Sequence, residues 1–151
     1  MPAHVSLYFL IFYNSMQSHL MMSLRSENAW FAALSFGGYN IVLATALAFV
    51  GSVAGMLVNF AFGYYVSRWR DELPGYKHAR FESIAGVFRR KLYLLLAVPP
   101  VAIMEVIPGV SLLPALAFLC GAFRVPPKRV IFAVLFSRAA YYTYYLNANL
   151  I

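Results

Sequence analysis

Long apolar runs alternate with short polar breaks along the chain. The cleanest run extends from Ile41 to Val66 and is long enough to cross a bilayer as a tilted helix. A second run, from Val130 to Leu146, predicts another spanning helix near the C-terminus. The other apolar runs are too short or too interrupted for a complete span, so they predict helices that enter the membrane and turn back.

The first interrupted region covers residues 3–40. Its apolar runs, Val5 to Met22 and Ala29 to Phe36, are separated by a polar segment that contains Glu27. The second of these runs is too short to cross a bilayer, which favours a re-entrant hairpin with Glu27 near its tip. An alternative, in which residues 3–22 form a complete span, stays open.

The second interrupted region extends from Leu92 to Phe123. Two complete spans and a turn need about 40 residues, and this segment is shorter. The residues that interrupt its helical pattern are Pro99, Pro100, Pro108, Gly109 and Pro114. Proline removes a backbone donor and glycine relaxes the chain, so these breaks predict a second re-entrant hairpin, with Glu105 near its tip.

Lysine and arginine are concentrated in two stretches. The first holds most of the 12 basic residues, namely Arg68, Arg70, Lys77, Arg80, Arg89, Arg90 and Lys91. The second holds Arg124, Lys128 and Arg129. Basic residues in short loops favour the cytoplasmic side, so both stretches are expected there. Residues 77–91 also place apolar side chains on one helical face, which predicts an amphipathic helix on the cytoplasmic membrane surface.

Together these runs predict an all-α integral membrane fold built from inverted repeats. Repeat 1 covers residues 3–66, a basic amphipathic linker covers 67–91, and repeat 2 covers 92–148. Each repeat holds a re-entrant hairpin followed by a transmembrane helix, and the two hairpins open to opposite sides. In such folds the broken helices meet near the bilayer midplane and form a site for a substrate or coupling ion.

Composition supports the membrane prediction and narrows the possible functions. Hydrophobic residues make up 62% of the chain and charged residues 11%, which excludes a soluble catalytic domain. The N-terminus lacks the features of a cleaved signal peptide and is expected to be retained. The single cysteine, Cys120, excludes an internal disulfide and a thiolate metal cluster. The scattered histidines and the absence of a nucleophile motif predict no metal, cofactor or enzyme, and the apolar face of the linker disfavours nucleic-acid binding.

The carboxylates of Glu27 and Glu105 are candidates for proton-coupled transport. An acidic group near membrane depth costs about 2.5–3.5 kcal/mol on insertion scales, and burial raises its pKa toward neutral pH. Structural alternatives stay open for both residues. Glu105 could pair with Arg138 or cap a half-helix, and Glu27 could belong to an ordinary helix cap beside Arg25.

Two arginines are candidates for binding a lipid phosphate. Arg138 lies well inside the last predicted helix, where its planar guanidinium suits either a phosphate or a buried salt bridge. Arg124 lies at the end of the second predicted hairpin. Its alternative role is to set the orientation of the chain and to meet anionic headgroups, together with Lys128 and Arg129.

Two further patterns lie in the predicted spanning helices. Small residues recur every four positions at Gly51, Gly55, Asn59 and Gly63. This spacing permits close helix packing, either within the fold or between the subunits of a homo-oligomer. Near the C-terminus, an aromatic belt at the outer interface is predicted by Tyr141, Tyr142, Tyr144, Tyr145 and Asn147.

Five segments carry a resemblance to a known family. They are Ser26-Glu27, Gly51-Ser52-Val53-Ala54-Gly55 followed by Asn59 and Gly63, Pro108, Gly121-Ala122-Phe123-Arg124, and Ser137-Arg138-Ala139-Ala140-Tyr141. In this order and spacing they resemble the DedA superfamily, the VTT or SNARE-associated membrane proteins, and within it the short YqaA-like branch. The resemblance covers residues 26–142 and includes no sharp catalytic signature.

The resemblance implies two facing re-entrant hairpins and the proton-coupled movement of phosphate-bearing lipids in a bacterial inner membrane. The family's membrane acidic position corresponds to Glu27, and its basic positions near the second hairpin correspond to Arg124 and Arg138.

The chain departs from the family pattern around Pro108. Larger members carry an arginine before this proline, and the short branch often has Gly-Asp after it, whereas this chain has Glu105 before it and Ser111 after Gly109. We expect Glu105 to supply the carboxylate from the other side of the proline, and Ser111 to join the arginines at the lipid phosphate.

The leading hypothesis is therefore a DedA-like flippase or scramblase. Its expected partners are membrane lipids, anionic headgroups and protons. An alternative hypothesis is a non-transporting membrane assembly or homeostasis factor that binds a partner helix through the Gly51 to Gly63 face.

Cysteine labelling tests the predicted topology. We expect Arg68→Cys and Arg124→Cys, each in a Cys120→Ala background, to react with a membrane-impermeant reagent only from the cytoplasmic side, because basic loops stay there. Asn147→Cys should react only from the outside. Labelling of all three positions from one side would contradict the inverted arrangement.

Overall fold

The structure is a computed structural model that describes residues 3–20, 28–36, 40–72, 78–97 and 112–150. These residues are all-α, as predicted, and contain no strand. The helices are α1 Ala3–Ser18, α2 Asn28–Phe36, α3 Ile41–Asp71, α4 His78–Ala97, α5 Leu112–Ala122 and α6 Pro127–Leu150.

Helix α3 is the central element of the fold. It begins where the side chain of Asn40 accepts a hydrogen bond from the backbone N–H of Leu43 at 3.1 Å, an N-cap that satisfies one of the first unpaired donors. Its 31 residues continue past Val66 to Asp71, because no residue in the basic segment after Val66 breaks a helix. Among the described residues, α3 is the one helix long and apolar enough to cross a membrane by length and composition.

Helix α1 runs in the same direction as α3. The Tyr8 hydroxyl accepts a hydrogen bond from the backbone N–H of Asn40 at 3.1 Å, just before α3 begins. At the other end of α1, the backbone oxygen of His19 accepts one from Asn59, well along α3. The short helix α2 lies between the level of Tyr8 and the level of His19 in α1. It begins where the backbone N–H of Ala29 donates a hydrogen bond to the side chain of Asn14.

Helix α5 packs along the second half of α3 and also runs in its direction. Phe118 meets Phe62 with ring centroids 5.9 Å apart, and Arg124, just after α5, reaches Ser67. Helix α4 reaches the end of α5, where the Phe88 ring stacks on the Phe123 ring at 5.2 Å.

Helix α6 runs opposite to α3 and alongside α4. Its C-terminal half faces the start of α3, where Tyr142 contacts Phe49 with ring centroids 6.1 Å apart. Its first turn lies beside α4, where the guanidinium of Arg129 is 5.5 Å from the centre of the Tyr93 ring. The α1–α2 pair and the α4–α5 pair therefore lie toward opposite ends of α3.

Two apolar clusters fill the interior. The first, which we call the basic-end core, comprises Met56, Leu92, Leu113, Ala117, Cys120, Val125, Val130, Ala133 and Val134. The second, the aromatic core, comprises Ile11, Trp30, Ala33, Ala44, Ala48, Tyr141 and Tyr142. Helices α3 and α6 contribute to both clusters and connect them.

Glycines allow α1 and α5 to approach the same face of α3. A Cβ atom at Gly51 or Gly55 would collide with the backbone of α1, and one at Gly63 would collide with the backbone oxygen of Phe118 in α5. Gly121 is the reciprocal position on α5, because its Cβ would collide with the backbone of α3 at Phe60. The small-residue face predicted from the sequence is thus covered within the chain.

The structure adds detail to two sequence predictions. Pro114, one of the residues predicted to interrupt the second hairpin, lies in the first turn of α5, where a missing backbone N–H costs no hydrogen bond. Residues 91 and 92, between the predicted linker and repeat 2, both lie in α4. Ala85 and Leu92 of this helix are buried, so α4 belongs partly to the protein interior.

The predicted aromatic belt needs correction. Tyr141 and Tyr142 are buried in the aromatic core, whereas Tyr144 is exposed and keeps the predicted orientation toward the surroundings. Helix α6 also extends beyond the predicted Val130 to Leu146, because Pro127 suits the first position of a helix.

Two alanine substitutions test the close packing on α3. Gly63→Ala should lower the free energy of unfolding by about 1–3 kcal/mol, because the methyl group has no space beside the backbone of α5. Gly86→Ala is the matched control: its methyl group meets no atom within 4 Å, and alanine should stabilise α4 by about 0.5–1 kcal/mol. Thermal unfolding followed by circular dichroism measures both, and equal behaviour of the two variants would contradict the packing.

Candidate functional site

A buried polar layer separates the two apolar cores. On α3, Ser52 lies between Ala48 of the aromatic core and Met56 of the basic-end core. On α6, Ser137 and Arg138 lie between the corresponding residues of the two clusters. Because α3 and α6 run in opposite directions, these polar side chains fall at the same level of the fold.

Arg138 is the charged residue of this layer. Its side chain is 0% exposed, and it lies about 16 Å along the axis of α6 from Pro127. Its guanidinium is 5.3 Å from the centre of the Tyr141 ring, a favourable cation–π distance. A buried guanidinium needs negative charge or several acceptors nearby, so this position is suited to an anionic partner.

The aromatic core supports this layer from one side. Trp30 packs edge-to-face on Tyr142 with ring centroids 4.8 Å apart, and its indole N–H donates to the Thr45 hydroxyl at 3.2 Å. These contacts connect α2 to α3 and α6 one turn from Arg138. Trp30 was not predicted as a site residue from the sequence, although a tryptophan inside a short apolar run close to Glu27 was an available signal.

A second group of buried polar residues lies at the end of α1. The ring Nδ1 of His19 is 2.8 Å from the backbone oxygen of Ser15 and 2.9 Å from the Ser18 hydroxyl. A carbonyl oxygen can only accept a hydrogen bond, so Nδ1 carries the proton in the neutral ring. Asn59 donates to the backbone oxygen of His19 at 2.5 Å, so the small polar residue of the α3 face holds the end of α1.

Arg124 is occupied by contacts within the fold. Its Nε donates to the Ser67 hydroxyl at 3.2 Å, and its Nη2 forms an ion pair with Asp71. These bonds join the turn between α5 and α6 to the end of α3. The structure therefore brings Arg124 to an internal ion pair and leaves Arg138 in the buried polar layer.

The backbone explains why Arg124 can make these contacts. It has a φ of 55°, in the left-handed region, and ends α5 in a Schellman motif. In this motif the N–H of Arg124 donates to Gly121 O and the N–H of Val125 donates to Cys120 O, both at 2.9 Å. Glycine usually occupies this position, so the arginine side chain accounts for the exception.

The other predicted site residues lie outside the described part of the chain. They are Glu27, Glu105, Ser111, Pro99, Pro100, Pro108 and Gly109. Within the described ranges, no three histidine, cysteine, aspartate or glutamate side chains form a group that could hold a metal ion.

No protein-family model matches the chain, and comparisons with curated proteins and with solved structures give no match either.

Substitution of Arg124 separates backbone strain from side-chain bonding. Arg124→Ala should lower the free energy of unfolding by about 1 kcal/mol, because it removes the partly exposed ion pair with Asp71. Arg124→Gly removes the same pair but relieves the left-handed backbone, and should be about 1 kcal/mol more stable than Arg124→Ala. Thermal unfolding compares the two variants, and identical stabilities would contradict the left-handed conformation.

Proposed function

We propose that the protein is an integral membrane protein that moves a phosphate-bearing lipid between the two leaflets of a bilayer, in the manner of the DedA superfamily that its sequence resembles. The single observation that carries the proposal is the fully buried guanidinium of Arg138 in the polar layer between the two cores.

Membrane insertion is supported by the large apolar side chains on the outside of the fold. They occur on five of the described helices and include Phe9 on α1, Val42 and Phe62 on α3, Val87 on α4, Leu119 on α5, and Phe132 on α6. Val42 is 78% exposed and Phe132 is 72% exposed. A soluble protein rarely exposes so much apolar surface, whereas lipid chains would cover it without cost.

Inverted repeats are supported by the directions of the helices. A helix pair precedes α3 and another precedes α6, and α3 and α6 run in opposite directions. Each pair also contacts the last helix of the other half: α5 packs on α3, and Trp30 of α2 packs on Tyr142 of α6. This reciprocal packing is expected when two halves are related by an inverted symmetry, with the functional site between them.

The position of Arg138 suits a lipid phosphate. A depth of about 16 Å from the start of α6 is close to half of a hydrocarbon core about 30 Å thick. A charge at this depth is costly and is normally retained for function. Its planar guanidinium can bind a phosphate with two parallel hydrogen bonds while the lipid chains stay outside the fold.

Charge balance supports a role for the two predicted carboxylates. Asp71 and Glu72 lie at the basic end of α3, and Asp71 already pairs with Arg124. Glu27 directly precedes α2, whose Trp30 contacts the α6 aromatics next to Arg138. We propose that Glu27 and Glu105 balance the charge of Arg138 when no lipid is bound, and that they take up protons when a phosphate replaces them.

The contacts of Arg124 change its proposed role. Its Nε and Nη2 donors already bond Ser67 and Asp71, so we assign it to the fold and retain Arg138 as the phosphate ligand. Ser111 stays a predicted phosphate contact. The alternative of an assembly factor that binds a partner through the Gly51 to Gly63 face is disfavoured, because α1 and α5 cover that face.

A reconstituted leaflet-exchange assay tests the transport proposal. The probe is phosphatidylglycerol that carries a fluorescent label, in vesicles. Dithionite added outside the vesicles reduces this label. Arg138→Gln should slow exchange at least about tenfold, because loss of a charged hydrogen-bond partner costs more than about 1.4 kcal/mol. Arg124→Gln is the matched control and should retain most of the rate. Rates for Arg138→Gln, Glu27→Gln and Glu105→Gln equal to that of the wild type would contradict the mechanism.

A double-substitution experiment identifies the carboxylate that balances Arg138. Removing one member of a buried ion pair costs about 3–5 kcal/mol, because the other charge is left uncompensated. Arg138→Gln combined with substitution of the true partner, Glu27→Gln or Glu105→Gln, should therefore be more stable than the single variants. Thermal unfolding in detergent measures this coupling, and additive effects for both glutamates would contradict the proposed charge balance.

A further inference from the structure

Helix α3 carries an exposed stripe that ends in two side chains of opposite charge. The stripe consists of Val58, Phe62, Tyr65 and Trp69, which share one helical face at intervals of three or four residues. Tyr65 is 73% exposed and Trp69 is 74% exposed. Arg68 and Glu72 lie on the same side of the helix at its basic end, and both are exposed.

Arg68 differs from three nearby arginines whose guanidinium groups bond other residues of the chain. Arg124 and Arg70 pair with Asp71, and Arg89 donates to the backbone oxygen of Phe123 at 2.7 Å. Arg68 and Glu72 make no side-chain ion pair or hydrogen bond with any residue that the structure describes. Their charges are therefore available to a ligand.

The order of these residues along α3 matches the order of groups in a phospholipid. Val58 and Phe62 offer an apolar surface for an acyl chain, and Tyr65 and Trp69 are residues typical of the membrane interface. Arg68 lies between Tyr65 and Trp69 along the axis, at the level of the interface, and Glu72 lies about 6 Å beyond Arg68. A phosphate bonded by Arg68 would place a distal ammonium near the Glu72 carboxylate.

From this order we propose that the exposed end of α3 binds an aminophospholipid from the surrounding leaflet, with Arg68 on its phosphate and Glu72 on its ammonium. This site lies on the outside of the fold, separate from the buried layer around Arg138. The proposal rests on the membrane insertion in the proposed function and does not depend on transport. A purely anionic headgroup such as that of phosphatidylglycerol fits less well, because it has no ammonium for Glu72 and the carboxylate repels its phosphate charge.

Fluorescence quenching in detergent micelles tests this assignment on the full chain. The chain contains 2 tryptophans, the exposed Trp69 and the buried Trp30, so Trp69→Phe measures the signal that comes from Trp30 alone. The probes are brominated phosphatidylethanolamine, phosphatidylcholine and phosphatidylglycerol. We expect Trp69 to be quenched at about fivefold lower concentrations of phosphatidylethanolamine than of the other two lipids, which corresponds to about 1 kcal/mol of headgroup contact.

Two substitutions test which side chain binds the phosphate and which binds the ammonium. Arg68→Gln should weaken binding of all three lipids about fivefold, because every headgroup contains the phosphate. Glu72→Gln should remove the preference for phosphatidylethanolamine and tighten binding of phosphatidylglycerol. Lys91→Gln is the matched control, an exposed cation on α4 whose loss should leave the preference unchanged.

Three results would overturn the proposal: equal quenching by the three lipids, an unchanged preference in Glu72→Gln, or equal effects of Lys91→Gln and Arg68→Gln. The experiment uses micelles, which have no separate leaflets, so its outcome is independent of lipid exchange. Binding without exchange in vesicles would leave this site standing and contradict only the proposed transport.

Discussion

The close approach of α1 and α5 to one face of α3 is the constraint on which the rest of the structure depends. Backbone atoms of both helices occupy the space that a side chain would take at Gly51, Gly55 and Gly63. This packing positions two short helices end to end along α3, and Asn59 holds the end of α1 between them. Without this face, α1 and α5 could not approach α3, and the two apolar cores would lose the residues that these helices contribute.

The buried polar layer follows from this arrangement. Helices α3 and α6 each contribute to both cores, and the residues between their apolar positions are Ser52, Ser137 and Arg138. The guanidinium of Arg138 makes a cation–π contact with the Tyr141 ring, and the proposed phosphate site rests on this buried group. The basic end is chemically different, because its charges are either paired within the chain, like Arg124, or exposed, like Arg68.

Much of the helical framework could be predicted from the apolar pattern. The start of α3 agrees with the predicted Ile41, because an asparagine cap and a long apolar run specify that position locally. Other boundaries were less predictable. Pro114 has the same sequence signal whether it breaks a helix or begins one, and a basic segment after Val66 is compatible with either a loop or a longer helix.

By itself the sequence determined the all-α character of the described residues, the concentration of charge, and the small residues on α3, because each depends on side chains near one another in the chain. Only the tertiary structure decided which helices cover the small-residue face, that Arg124 pairs with Asp71, and that Tyr141 and Tyr142 are buried against Trp30. The physical reason is that these contacts join residues far apart in the chain, so burial and charge pairing depend on neighbours that local periodicity does not specify.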